Sequence, residues 1–190
     1  HRPADMAIHG ILDSHGTVCR LMVGSGVDHF LQACEYHGQN CEVEAGKGYD
    51  MVAASCGGYP KDINFIQAHK AVHHAAAFVK DGGALVVFAQ CREGIGSTTF
   101  LPWFDMGGWD AAFAHLSQAY QGNGGTALSM MEKTRRINIF LATDLSPHDC
   151  RAIGVTRIDP PSAASRVRQH GGSLLAIPNA SLLVRRWTRG

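Results

Sequence analysis

The chain has 190 residues, 45% of them hydrophobic, with 17 basic and 16 acidic side chains. We expect residues 1–190 to form a single domain, because a chain of this length can bury a core of ordinary size. With a net charge of +1, the chain lacks the excess of positive charge that is typical of proteins that bind nucleic acid or an anionic membrane surface. Apolar runs of at most about eight residues are too short to span a bilayer. We therefore predict neither a nucleic-acid partner nor a membrane partner.

The six cysteines are scattered along the chain without a CxxC motif. The spacings typical of zinc and redox sites are therefore absent. This usage favours reduced thiols, some of them buried, in a cytoplasmic protein. No signal peptide opens the chain, and His1 stands where a natural protein would begin with Met. We therefore expect the chain to be a piece of a longer protein.

The first predicted elements are two strands and a helix. Apolar runs at 6–12 and 17–23, separated by the polar segment Asp13–Gly16, are typical of a β-hairpin. A helix is expected to follow from near Asp28 to near Gly38.

The middle of the chain predicts a βαβ unit. The apolar run 51–56 is a predicted strand, and apolar residues at helical spacing predict a helix from about 62–64 to Lys80. The glycines within 81–83 are expected to end that helix. The continuous apolar run 84–89 predicts a strand buried on both faces, as in a parallel sheet.

The rest of the chain alternates helices with strands. Further helices are predicted near 98–104, 109–120 and 126–135, after Ser146-Pro147, and at 161–170, with strands at 137–142 and 174–177. This alternation predicts an α/β fold. We expect a layered, mostly parallel sheet of βαβ type with helices on both faces, preceded by the N-terminal β-hairpin.

Candidate ligand-binding loops follow three of the predicted strands. They are Gly57–Asn64, Gln90–Ser97 and Thr143–His148. Ligands in open α/β sheets bind beyond the carboxyl ends of the strands, so these loops are the first place to look. Gly58 in the first loop would let a ligand approach the backbone closely.

Asn64, Gln67 and Lys70 form a polar stripe at the start of the central helix. Their spacing of three residues places them on the same helix face. The first amides of a helix attract anions, and a carboxylate would accept charge-assisted bonds from Lys70 and amide bonds from Gln67. The alternative is that this stripe is only a solvated face.

The loop after the second central strand contains Arg92 and Glu93. Its glycines resemble an anion-binding loop, although the P-loop pattern is absent. These two side chains either contact a ligand or hold the turn by pairing with each other.

Metal binding and nucleophilic catalysis have little support in this chain. His69 and His73 are four residues apart, a spacing that can hold a metal, but HExxH and a third ligand are missing. Cys91 lies next to Arg92 without a recognisable base. We therefore predict no metal site and no catalytic cysteine in this chain.

Residues 49–100 resemble the C-terminal domain of the nickel-dependent lactate racemase family. The resemblance rests on four segments: GGYPKDIN at 57–64, N-x-x-Q-x-x-K at 64–70, KDGG at 80–83 and CREGIG at 91–96. Flanking segments fit more loosely, so that the resemblance extends over nearly the whole chain.

The resemblance implies a reaction and assigns its catalytic and substrate-binding residues to two different domains. In that family a nickel-pincer nucleotide accepts hydride from the α-carbon of a 2-hydroxy acid and returns it to either face. The acid–base histidines, the cofactor lysine and the nickel-binding histidine belong to an N-terminal domain that this chain lacks. The resemblance therefore implies substrate binding by Gln67 and Lys70, with no catalytic residue and no cofactor in this fragment. The implied partners are its own N-terminal domain and a small 2-hydroxy acid.

The sequence departs from the family pattern at two positions. Ile66 stands where the lactate enzyme has a tyrosine before the glutamine. The glycine-rich segment 123–125 replaces an expected tryptophan. Both changes alter pocket volume and hydrogen bonding, so a 2-hydroxy acid other than lactate fits the resemblance.

We therefore predict the substrate-facing domain of an isomerase that racemises or epimerises a 2-hydroxy acid and is inactive as a fragment. The alternative is a non-catalytic domain that binds carboxylates or serves as an interaction module.

Overall fold

The computed structural model describes residues 4–13, 16–44, 46 and 48–186. The chain forms two compact units. Unit 1 combines His1–Glu44 with Leu182–Gly190, and unit 2 is Ala45–Ser181. The expectation of one domain over 1–190 stays a prediction.

Unit 1 contains the predicted β-hairpin. Its elements are β1 (Ala7–Leu12), β2 (Val18–Gly24), α1 (Asp28–Cys41), β3 (Glu42–Val43) and β9 (Val184–Arg185). Strands β1 and β2 pair antiparallel, which confirms the hairpin, and β3 pairs parallel with β9. Residues 14 and 15 of the predicted turn lie outside the described residues. Helix α1 continues to Cys41 instead of ending near Gly38, and the Glu42 amide donates to the Gly38 carbonyl.

Unit 2 is built on a parallel sheet. Its strands are β4 (Tyr49–Ser55), β5 (Val79–Phe88), β6 (Asn138–Ala142), β7 (Thr156–Ile158) and β8 (Leu174–Ile177). They lie in the order β7-β6-β5-β4-β8, and every neighbouring pair is parallel. Parallel strands need crossover connections, and helices supply them here.

Helices cover both faces of this sheet. They are α2 (Phe65–Ala76), α3 (Trp109–Gln118), α4 (Gly124–Arg136), α5 (Pro147–Ala152) and α6 (Pro160–Arg168), with short 3₁₀ turns at Leu101–Asp105 and Ala180–Leu182. On one face, Val86 of β5 packs with Met51, Ala142 and Ala163 of α6. Its neighbours in β5 point to the opposite face, where α2 and α4 lie. The predicted α/β fold with helices on both faces is confirmed.

The predicted end of the central helix is wrong. Helix α2 ends at Ala76, and the Asp81-Gly82-Gly83 segment lies inside strand β5. Tyr49 pairs with Val79 but Met51 pairs with Ala84, so β5 carries three extra residues as a bulge. Gly82 has a φ of 76°, and a Cβ at Gly83 would lie 2.8 Å from a Val79 methyl. The glycines therefore serve the bulge and not a helix cap.

The remaining differences concern short elements. The helix predicted at 98–104 is the 3₁₀ turn Leu101–Asp105. Strands β3, β7 and β9 were not predicted, because two or three residues are too few to show alternation. None of the helices within the described ranges combines the length and apolar character needed to cross a membrane.

Candidate functional site

The three loops predicted to bind ligand meet at the carboxyl edge of the sheet. The Gln90 amide donates to Asp62 Oδ2 over 3.1 Å. The Gln90 carbonyl accepts from the Asp144 amide at 2.8 Å and from Thr143 Oγ1 at 3.0 Å. A cleft of about 390 Å³ opens here, bounded in part by Ser55, Gly58, Asp62, Gln90, Thr143 and Asp144. Its position fits the general rule for ligand binding in parallel sheets.

The first amides of α2 are already occupied. Asn64 Oδ1 accepts from the Gln67 amide at 3.1 Å, as a helix N-cap does. The Phe65 and Ile66 amides donate to the carbonyls of Gly94 and Ile95 at 3.0 and 3.1 Å. The prediction that unpaired amides here attract an anion is therefore wrong, since the neighbouring loop satisfies them. A role for Asn64 toward substrate stays a prediction.

Gln67 and Lys70 lie together on the open side of α2. Lys70 Nζ donates to Gln67 Oε1 over 2.8 Å. Lys70 is exposed and Gln67 is half-buried. Within the described residues, this contact leaves two ammonium N–H groups and the Gln67 amide NH₂ without a protein partner. These free groups are all donors, which is the chemistry a carboxylate requires. Ile66, one turn before Lys70 on the same side, is half-buried beside them.

Arg92 contacts an aromatic ring and not the neighbouring Glu93. Its guanidinium lies 4.3 Å from the centroid of the Tyr59 ring. Among the residues that the structure describes, no ion pair joins Arg92 to Glu93, so the turn is not held by that pair. The Glu93 amide instead donates to the Ile63 carbonyl at 2.9 Å. The stacked Arg92 keeps its in-plane donors available for a ligand. Ligand contact by Arg92, Glu93 and Gly58 stays a prediction.

Sequence analysis missed a hydrogen-bonded cluster beside this site. Asn123 Nδ2 donates to Ser97 Oγ at 2.7 Å and to Thr99 Oγ1 at 2.8 Å. Asn123 has a φ of 62°, the left-handed conformation that asparagine tolerates. The Asn-Gly-Gly sequence at the start of α4 was the available signal, since that combination favours positive φ. This cluster occupies the segment where the family resemblance led us to expect a tryptophan.

Lys61 was also missed. Its Nζ donates to Asn179 Oδ1 over 3.3 Å, which ties the loop after β4 to the residues that follow β8. Ser181 Oγ donates to the same Asn179 oxygen at 2.8 Å. Lys61 and Asn179 are 118 positions apart in sequence, so residue spacing gave no signal for their contact.

The histidines of α2 are placed for structure. His69 is only 7% exposed, and burial, followed by the nearby Lys133 charge, lowers its pKa from 6.5 to about 3. Lys133 is also buried, and its Nζ donates to Ser129 O at 2.8 Å and to Ser129 Oγ at 2.6 Å. His73 Nδ1 lies 3.3 Å from the same hydroxyl. This arrangement joins α2 to α4 and keeps His69 neutral.

The described residues do not assemble a metal site. No group of three or more histidine, cysteine, aspartate or glutamate side chains among them is placed to hold a metal ion. Burial raises the pKa of both Cys56 and Cys91 to about 12, so these thiols stay protonated at neutral pH. A protonated thiol is a poor nucleophile.

The comparisons with known proteins point to one family. Residues 44–121 match the family described as the lactate racemase C-terminal domain. A lactate racemase from Thermoanaerobacterium thermosaccharolyticum is 34% identical over 94 residues, which cover 50% of this chain and 22% of that protein. The resemblance read from the sequence is confirmed for this central region.

Two solved structures share the fold over 96% of this chain. The lactate racemase apoprotein from Thermoanaerobacterium thermosaccharolyticum superposes with a TM-score of 0.84 at 23% identity. A Thermotoga maritima protein superposes with a TM-score of 0.67 at 16% identity. The chain spans 46% and 49% of the length of these two proteins, respectively.

Proposed function

From the match of residues 44–121 to the lactate racemase C-terminal domain, we propose that this chain is the substrate-facing domain of a 2-hydroxy-acid racemase or epimerase. The full-length protein would interconvert stereoisomers by hydride transfer to a nickel-pincer nucleotide. The 190 residues alone would be inactive. The observation that carries the proposal is the Lys70–Gln67 pair, whose free donors lie together on the open face of α2.

Lys70 and Gln67 would bind the carboxylate of the substrate. Lys70 provides a positive charge and Gln67 an amide donor, and their mutual bond sets the orientation of both. The Asn64 cap and the loop carbonyls of Gly94 and Ile95 fix the backbone beneath them. Rigid support of this kind positions a substrate without further reorganisation. The carboxylate would therefore be held while chemistry occurs at the adjacent α-carbon.

The cofactor belongs to the part of the protein outside this chain. When bound, it would supply the hydride acceptor. The described residues do not fit a nickel centre, since no group of three or more histidine, cysteine, aspartate or glutamate side chains among them is placed to hold a metal ion. The residues of this chain would bind and orient the substrate. The N-terminal domain would be the partner that completes the site.

The six cysteines are free thiols in the structure. Reduced thiols are typical of proteins in a reducing compartment, which supports a cytoplasmic location for the full-length enzyme.

A non-catalytic carboxylate-binding domain is the second candidate. Ile66 in place of the family tyrosine favours it, because a hydroxyl that would contact the substrate is absent. A full-length protein that takes up the nickel cofactor would contradict this alternative.

The test is a chiral assay of the full-length, cofactor-loaded protein over a panel of 2-hydroxy acids. We expect interconversion of one pair of stereoisomers. Lys70→Ala should then lower kcat/KM by about 10- to 150-fold, which corresponds to a lost charged hydrogen bond of about 1.5–3 kcal/mol. Lys70→Arg should restore part of this loss, because the charge remains.

Arg168→Ala is the matched control. Arg168 is an exposed cation at the end of α6, on the other face of the sheet. Its removal should leave kcat/KM unchanged. Equal activity of Lys70→Ala and Arg168→Ala would refute the assignment of the carboxylate site.

A further inference from the structure

One face of the hairpin in unit 1 is apolar and exposed. The side chains on it are between 52% and 63% exposed. They are Met6, Ile8, Leu12, Val18, Leu21 and Val23. We call this set the hairpin face.

Strand pairing places these residues side by side. Ile8 lies opposite Val23, and Leu12 lies opposite Val18. Gly10 lies opposite Leu21 and has no side chain, so it leaves the hairpin face open at this position. A Cβ at Gly10 would lie 3.8 Å from methyl groups of both Leu21 and Val18, so these side chains share that face. Alternate positions of a strand point the same way, which makes the patch continuous.

The opposite face of the hairpin is already covered by α1. His9 lies 4.9 Å from the His29 ring and 5.6 Å from the Phe30 ring, measured between centroids. Arg20 lies 4.5 Å from the centroid of the Tyr36 ring. The polar and aromatic contacts are therefore confined to one side, whereas the hairpin face carries no charged residue.

An exposed apolar face on a two-stranded sheet needs a partner. This sheet has two strands within the described residues, and α1 packs against one of its two faces. Contiguous exposed apolar patches mark interaction surfaces. The solved lactate racemase matches 96% of this chain with 46% of its own length, so more than half of that protein has no counterpart here. That remaining length is the natural source of a covering surface.

We propose that the hairpin face packs against the part of the full-length protein that lies outside these 190 residues. The partner surface is apolar and uncharged, because the hairpin face offers neither charge nor hydrogen-bonding side chains. This inference rests on the fold comparison and not on the proposed reaction, so an inactive protein would leave it intact. A second copy of the chain would cover the same face only through association between molecules.

Hydroxyl-radical footprinting of the full-length protein and of the 190-residue chain tests the proposal. In the full-length protein, we expect oxidation of Met6 and Leu21 to fall by about fivefold, whereas Tyr120, which is 81% exposed in unit 2, reports the radical dose. Equal oxidation of the hairpin face in both proteins would overturn the proposal. Protection that disappears on dilution would also overturn it, because a second copy would then be the cover.

A matched pair of valines provides an independent measurement. Val23 belongs to the hairpin face and Val27 does not, although they are 56% and 59% exposed. In the full-length protein, Val23→Thr should speed proteolysis of the hairpin by about threefold, whereas Val27→Thr should not. In the 190-residue chain, both substitutions should leave the rate of proteolysis unchanged. Equal effects of Val23→Thr in the two proteins would contradict the proposal.

Discussion

Gly96→Ala would displace the Asn64 side chain, which caps the N-terminus of α2. A Cβ at Gly96 would lie 2.3 Å from Asn64 Cγ and 2.5 Å from its Oδ1. These distances are too short for any stable contact, so the Asn64 side chain must rotate away. Its bond to the Gln67 amide would then break. The substitution therefore acts on the candidate site without replacing Gln67 or Lys70.

The expected loss of stability has two parts. Gly96 has a φ of 86°, and an alanine in the left-handed region costs about 1–2 kcal/mol. Loss of an asparagine N-cap costs about 1 kcal/mol. The unfolding free energy should therefore fall by about 2–3 kcal/mol.

Gly94→Ala is the control within the same loop. Gly94 has a φ of 70° but faces open space, so an alanine there carries only the backbone cost. Its carbonyl can still accept from the Phe65 amide. The difference in unfolding free energy between the two variants therefore measures the contribution of the Asn64 cap.

Urea unfolding followed by circular dichroism measures both losses. We expect Gly96→Ala to be less stable than Gly94→Ala by about 1 kcal/mol, and Asn64→Ala to show the same deficit alone. In the full-length protein, Gly96→Ala should also lower kcat/KM more than Gly94→Ala does. Equal stability of the two glycine variants would refute the reasoning, because the cap would then contribute nothing.

Two further predictions concern the helix layer over the sheet. Because the pKa of His69 falls from 6.5 to about 3 on folding, the unfolded chain binds more protons between these values. Stability should therefore decrease by up to about 1.4 kcal/mol per pH unit as the pH falls through that window. His69→Gln should reduce this dependence of the unfolding free energy on pH, whereas substitution of the exposed His148 by Gln should not. Urea unfolding at several pH values measures it, and an unchanged dependence in His69→Gln would contradict the prediction. Arg136 donates to the Ala76 carbonyl at 2.6 Å and to the Val79 carbonyl at 2.8 Å. Arg136→Met should therefore lower the unfolding free energy by about 2–3 kcal/mol. Arg135→Met, at an exposed neighbour, is the control, and equal stability of the two variants would contradict the prediction.

The sequence predicted what depends on local periodicity. The hairpin followed from two apolar runs with a polar turn, and strand β8 was found at its observed bounds because 174–177 is an uninterrupted apolar run. A helix was also predicted after Ser146-Pro147, and Ser146 is the N-cap of α5, with its Oγ accepting from the Asp149 amide at 3.0 Å. These features need only neighbouring residues.

The misses depend on partners that are distant in sequence. The end of α2 was placed too late because Phe78 and Val79 continue its apolar spacing, whereas pairing of Val79 with Tyr49 draws that segment into the sheet. Tertiary pairing overrode the local pattern.

The candidate site shows the same division. The shared face of Gln67 and Lys70 follows from helical spacing, and their 2.8 Å contact agrees with it. The occupied amides of α2 could not be predicted, because the carbonyls that satisfy them come from Gly94 and Ile95.

The same loop bonds bear on how the specificity of this site can change. Ile66 is held through its amide by the Ile95 carbonyl. The main chain at this position is thus fixed without help from the isoleucine side chain, which is half-buried next to Lys70. A substitution that keeps the N–H at this position keeps the bond, whereas proline would remove it. If Gln67 and Lys70 bind the substrate carboxylate as proposed, a single substitution at Ile66 would change the space beside them while both donors stay in place.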